Sequence, residues 1–168
     1  MRVYLPALGY VYVGLALVAF AIVGDHLRAA EAFFAVAGFA YLWFLGSLRA
    51  RLVRYDPDGF FASIVVLGGA AYLPLQATAL ISQDVALAGL GSPAAASVVV
   101  GSSLAAMHAR KVPRWYGGLG VIGGLGVLGV GAGEAATHWT LAGTALWASV
   151  LGFMIWVMAT ATWLLANR

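Results

Sequence analysis

Six apolar stretches punctuate this chain, over residues 3–23, 30–48, 60–81, 93–109, 115–132 and 141–165, and no Asp, Glu, Lys or Arg lies well inside any of them. A helix needs about 20 apolar residues to cross ~30 Å of hydrocarbon. Helices also satisfy their own backbone polar groups, which lipid cannot do. The pattern predicts an all-α integral membrane protein, a bundle of six transmembrane helices in one domain over residues 1–168. Composition leaves little else. Only 9% of residues are charged against 63% hydrophobic, with a mean hydropathy of +0.95. A soluble domain carries about 25% charged residues, and one this small needs a solvated surface that the chain cannot supply.

The breaks between stretches carry the local signals. Gly24-Asp25-His26 closes the first, and Arg49, Arg51 and Arg54 close the second. Asp56-Pro57 and Ser92-Pro93 read as helix starts, because proline at the first helical position gives up only an N–H that has no intrahelical partner. Met1-Arg2 followed by an apolar run resembles a signal peptide, but the run reaches Val23. That exceeds the ~7–15 residues of such a region, so a retained first helix is expected.

Charge placement predicts the orientation. With six spans and both termini in the cytoplasm, Arg2, Arg49, Arg51, Arg54, Arg110, Lys111, Arg114 and Arg168 all fall inside, eight of the nine basic residues. Asp25, Glu31, Asp84 and Glu134, four of the six acids, fall outside. Short loops with Lys and Arg concentrated on one side follow the positive-inside rule. The net charge of +3 is therefore a topology signal rather than a nucleic-acid footprint, and a cell (inner) membrane location is expected. Tyr55, Trp115, Tyr116 and Trp163 at the inner interface and Trp139 at the outer fit an aromatic belt.

Candidate functional residues are few. The absence of buried ionisable groups argues against ion pumping and proton coupling, which meet the transported charge at membrane depth. With no cysteine, thiolate metal sites and cysteine nucleophiles are excluded. No Ser/His/Asp set or phosphate-binding loop is present. The third stretch has the most polar interior, with Tyr72, Pro74 and Gln76. Pro74 cannot donate to the Ala70 carbonyl, so a kink is expected there. It either forms a pocket or is simply packed, with Gln76 bonding to another helix. The fifth stretch is dense in glycine. Gly120 and Gly124, and Gly129 and Gly133, are each four apart, a spacing that lets two helix backbones approach closely inside the bundle or between subunits. His26, His138 and Glu134 share the outer side, where they suit a divalent metal, or the two histidines a haem, if they are more than a solvated cap.

Two segments carry a resemblance. Phe44-Leu45-Gly46-Ser47-Leu48-Arg49-Ala50-Arg51-Leu52 and Lys111-Val112-Pro113-Arg114-Trp115-Tyr116-Gly117-Gly118-Leu119-Gly120 resemble an uncharacterised group of small multi-pass bacterial membrane proteins of unknown function. The second is similar to that group's Leu-Pro-Arg-Trp-Leu-Gly entry to a late helix, with Tyr116 where leucine is usual. The resemblance implies a bacterial six-helix membrane protein and no functional residues. The reading that follows is a non-catalytic accessory or structural membrane component without a cofactor. Its partners are the lipid bilayer and either further copies or a membrane complex, with no nucleic acid. The alternatives are a transporter or binding protein for a small apolar or lipid-like molecule, and an outer-face metal or haem protein.

Overall fold

The computed structural model describes residues 5–56, 58–82, 89–110, 114–137 and 142–166, with side chains at 116, 132–137 and 142–148 left undescribed. Among these residues the chain forms a 3-10 turn, Leu5–Ala7, and six α-helices: α1 (Leu8–Ile22), α2 (Leu27–Leu52), α3 (Phe60–Ser82), α4 (Ser92–His108), α5 (Arg114–Thr137) and α6 (Ala142–Ala166).

Each helix matches one apolar stretch, and the differences at the ends have physical causes. α2 begins just after His26 and runs on through Arg49 and Arg51, because a helix can leave the apolar layer before it unwinds. Arginines in its last turn also suit the negative end of the helix dipole. α5 extends to Thr137, past the expected 132, for the same reason. The start of α3 is less direct than Asp56-Pro57 suggested. Asp56 accepts a hydrogen bond from the Phe61 N–H at 2.6 Å, and Gly59 sits between them at φ 71°, a left-handed conformation that glycine adopts without cost. The helix therefore begins at Phe60, with Asp56 capping it across a turn. Ser92 is not a cap. It is already helical, Gly91 takes the cap position, and the Ser92 side chain is buried where α4 meets α5.

Among the described residues four stretches are long and apolar enough to cross a membrane: Leu5–Ile22, Leu27–Leu52, Phe60–Ser82 and Ser149–Ala166. α4 and α5 are less clear-cut on their own. α4 has 17 residues, about 25 Å of helix, and carries Ser92, Ser97, Ser102 and Ser103. The described apolar part of α5 is the shorter Gly117–Gly131.

The helices form a ring. Each packs on its neighbours in sequence, and α6 returns to α1. Successive helices run in opposite directions. At one end the Tyr10 hydroxyl lies 2.6 Å from that of Thr162, the Arg51 guanidinium lies over the Trp163 ring, and Met107 meets Gly117. At the other, Phe20 meets Phe34 edge-on, Leu80 joins them, and Ser92 meets Gly131. The inward positions recur at intervals of three and four: Gly9, Tyr12, Ala16 and Ala19 on α1, and Phe34, Ala37, Tyr41, Phe44 and Leu48 on α2. On α3 they are Ala62, Val65, Gly69, Tyr72, Gln76 and Ala79. This is the repeat of left-handed helix packing.

The outward faces are as apolar as the interior. Leu67 is 71% exposed, Ile122 and Trp115 67%, Ile155 66%, and Phe39 and Phe60 63%. Contiguous exposed apolar surface on this scale marks contact with something other than water.

Candidate functional site

The centre of the ring is aromatic. Tyr12, Tyr41, Tyr72, Phe44 and Phe153, from α1, α2, α3 and α6, are all buried there. Ring centroids lie 4.8 Å apart for Tyr12 and Tyr41 and 4.7 Å for Tyr72 and Phe153, within the range of favourable tilted contacts. The Tyr12 and Tyr72 side chains share a hydrogen bond. The Tyr41 hydroxyl is buried without a hydrogen-bond partner among the described residues. An unpaired buried hydroxyl costs about 1–3 kcal/mol, so its aromatic contacts hold it in place.

Next to this cluster, Tyr72, Gln76, Ser92, Ala95, Val127, Ser149, Val150 and Phe153 line a cavity of about 10 Å³. That is close to the smallest space that holds one water. A second cavity, of about 40 Å³, lies nearer the arginine-rich end between Leu48, Leu52, Ser102, Ser103, Trp156 and Trp163. Its serine hydroxyls are already engaged: Ser102 donates to the Val98 carbonyl at 2.7 Å and Ser103 to the Val99 carbonyl at 2.7 Å. These two hydroxyls therefore offer no free donor to that second cavity.

The expected site residues are placed as follows. Tyr72 and Gln76 both point into the bundle and line the smaller cavity. Pro74 does not join them. It lies on the exposed side of α3, two residues from Tyr72 and so on a different face, and its carbonyl accepts from the Thr78 hydroxyl at 2.8 Å. The inward residues that sequence reasoning passed over are Tyr12, Tyr41 and Ser149. The first two sit on the three-and-four stripes of their helices, a signal that was present. Ser149 had no signal of its own.

On α5, Gly120 and Gly124 do face another helix. A Cβ on Gly120 would strike the Ser103 side chain, and one on Gly124 would lie 2.6 Å from Val100 Cγ2. Gly129 does not face a helix, since a Cβ there would meet nothing within 4 Å. The close approach passes instead to Gly131, where an added Cβ would strike Ser92 and lie 2.8 Å from the Gly89 carbonyl oxygen. The reason is angular: Gly117, Gly120, Gly124 and Gly131 follow the three-and-four rhythm, and Gly129 falls on the opposite side. The Gly133 side of the pair lies outside the described side chains.

His26 is exposed at the start of α2. Its expected companions lie outside the described residues, Glu134 as a side chain and His138 altogether. Among the described residues no three His, Cys, Asp or Glu side chains gather as a metal site.

Comparison of the chain with protein-family models, with curated proteins and with solved structures returns no match. No family is shown. The functional reading therefore stands on the geometry of the bundle: an aromatic plug on its axis, two small cavities beside the plug, and a belt of arginines and aromatic rings at one end.

Proposed function

We propose that this chain is a six-span bundle of the cell membrane, with both termini and the arginine-rich end in the cytoplasm, acting as a non-catalytic membrane component. The observation that carries the reading is the contrast between surface and axis. The outward faces of α1, α2, α3, α5 and α6 present large apolar side chains suited to lipid. The axis, where a transport route or reaction site would lie, is filled by Tyr12, Tyr41, Tyr72, Phe44 and Phe153.

The two ends support the orientation. Arg49, Arg51, Arg54, Arg110 and Arg114 lie at the end formed by the start of α1 and the finish of α6. Asp25, Glu31 and Arg28 lie at the other. Tyr55 and Trp163, with ring centroids 6.2 Å apart, sit with Trp115 at the arginine-rich end, where amphipathic rings favour the headgroup layer. α4 and α5 then cross the membrane as a tightly joined pair, which offsets the modest apolarity of each.

Topology reporters test this reading. Fusions after Arg54, after Arg114 and at the C-terminus should read cytoplasmic, and a fusion after Asp84 should read external. A cytoplasmic reading at Asp84 would overturn the six-span arrangement.

A further inference from the structure

We propose that a groove between the arginine-rich ends of α3, α4 and α5 binds an anionic phospholipid from the leaflet on that side. The inference rests on the membrane reading above and adds a ligand to it. Phe61 of α3, Leu104, Met107 and His108 of α4, and Arg114 and Gly118 of α5 line an open groove of about 520 Å³. That lies within the ~300–1,000 Å³ typical of ligand sites.

The walls are amphipathic in the direction a lipid requires. His108 is the last residue of α4 and Arg114 the first of α5, so both stand at the rim. Leu104 and Gly118 lie one turn deeper. A Cβ on Gly118 would meet nothing within 4 Å, so the floor of the groove is open. From there Gly118, Ile122, Leu125 and Gly129 follow one another up α5 at four, three and four residues, on one face of the helix. Ile122 and Leu125 are both exposed. This furrow continues the groove towards the membrane centre and suits an acyl chain.

The electrostatics favour an anion at the rim. None of the lining residues is acidic, and the first turn of α5 carries no acid. The first N–H groups of a helix have no intrahelical acceptor and form the positive end of its dipole. The opposing contribution from the end of α4 is reduced, because the Ala105 and Met107 carbonyls accept from the Ala109 and Arg110 N–H groups, each at 3.0 Å. Asp56, the carboxylate beside Phe61, is buried and accepts from the Phe61 N–H. A guanidinium matches the paired oxygens of a phosphodiester, and cationic pockets between helices on the cytoplasmic side are suited to phospholipid headgroups. A free phosphate would use the rim alone and leave the furrow unexplained.

The test uses the full chain in nanodiscs of phosphatidylcholine, with and without a minor fraction of phosphatidylglycerol. After transfer to neutral detergent, native mass spectrometry reads the lipid retained. Phosphatidylglycerol should be enriched over its share of the disc. Arg114→Gln should weaken that enrichment about fivefold. Gly118→Leu should abolish it by filling the floor, while thermal stability in neutral detergent holds. Arg49→Gln, at the same end but on α2, and Gly123→Leu, exposed on another side of α5, should leave it unchanged. Absence of enrichment in the unaltered chain would overturn the site, as would equal loss with Arg49→Gln. So would inorganic phosphate stabilising the detergent-purified chain as much as phosphatidylglycerol does. A chain that enters neither disc would overturn the membrane reading itself, and this site with it.

Discussion

The two seams that close the ring are built from opposite materials. Between α1, α2 and α6 the contact is bulky: Tyr12, Tyr41, Phe44 and Phe153 interdigitate, and an added Cβ on Gly9 would lie 3.0 Å from the Phe44 ring. Between α4 and α5 it is spare, with Gly117, Gly120, Gly124 and Gly131 lying against Met107, Ser103, Val100 and Ser92. The first seam gains from the area of its rings and the second from how closely two backbones approach. In lipid, where burial between helices brings little hydrophobic gain, van der Waals packing must supply most of the attraction. A seam can obtain it by filling space or by removing it. The two kinds of seam should fail in opposite ways.

The largest effect is expected in the bulky seam. Phe153→Ala removes the ring that touches Tyr41, Tyr72 and Trp156, and should cost about 3–5 kcal/mol by leaving a void, read as a fall in thermal stability in detergent. A loss below 1 kcal/mol would show that the axis collapses easily and that the rings are not what holds it.

The spare seam is tested by addition. Gly131→Ala places a Cβ against Ser92 and the Gly89 carbonyl oxygen, and backbone cannot move aside as a flexible side chain can. It should destabilise the protein by about 1–3 kcal/mol. Gly129→Ala, on the open side of the same helix, should do the reverse and stabilise by about 0.5–1 kcal/mol, because alanine favours helix where nothing obstructs it. The pair sharpens the comparison, since the sign of the change reports which face is packed. Equal effects at the two positions would mean that α5 is rotated from its place here.

The smallest effect belongs to Tyr41→Phe. With its hydroxyl buried and unpartnered, removal should leave stability unchanged or raise it by about 1 kcal/mol. A loss exceeding 1 kcal/mol would reveal a hydrogen bond to a water in the aromatic centre.

Much of this fold was legible in the sequence because long apolar stretches broken by short polar ones leave few alternatives to a bundle of helices. Apolar length placed α1, α3, α4 and α6 to within a few residues, and arginine placement separated the two ends. Rotation of each helix was harder to read. When lipid-facing and inward faces are equally apolar, hydrophobicity no longer tells them apart, and so Pro74 and Gly129 were expected on the packed side. Size helps only locally, where an inward stripe sets small residues beside a ring, as Gly9, Tyr12, Ala16 and Ala19 do on α1; leucine, valine and aromatic rings otherwise stand on both faces. Gln76 was readable because an amide within an apolar stretch must find company, and it is buried. The groove lined by His108 and Arg114 was not, because it depends on three helix ends that are remote in sequence.

Three serines of α4, Ser103 in the seam with α5 among them, keep their hydroxyls to themselves. Ser102 and Ser103 bond to carbonyls one turn back on their own helix, as does Ser97 to Pro93. A hydroxyl used in this way says nothing to the neighbouring helix, which meets only its bulk. Serine-to-alanine exchanges at Ser102 and Ser103 should then pass with little penalty, while the α5 glycines that face α4 cannot gain a Cβ, so the lettering of one side can drift while the spacing between the two helices is kept. What such a seam transmits from one generation to the next is a thickness.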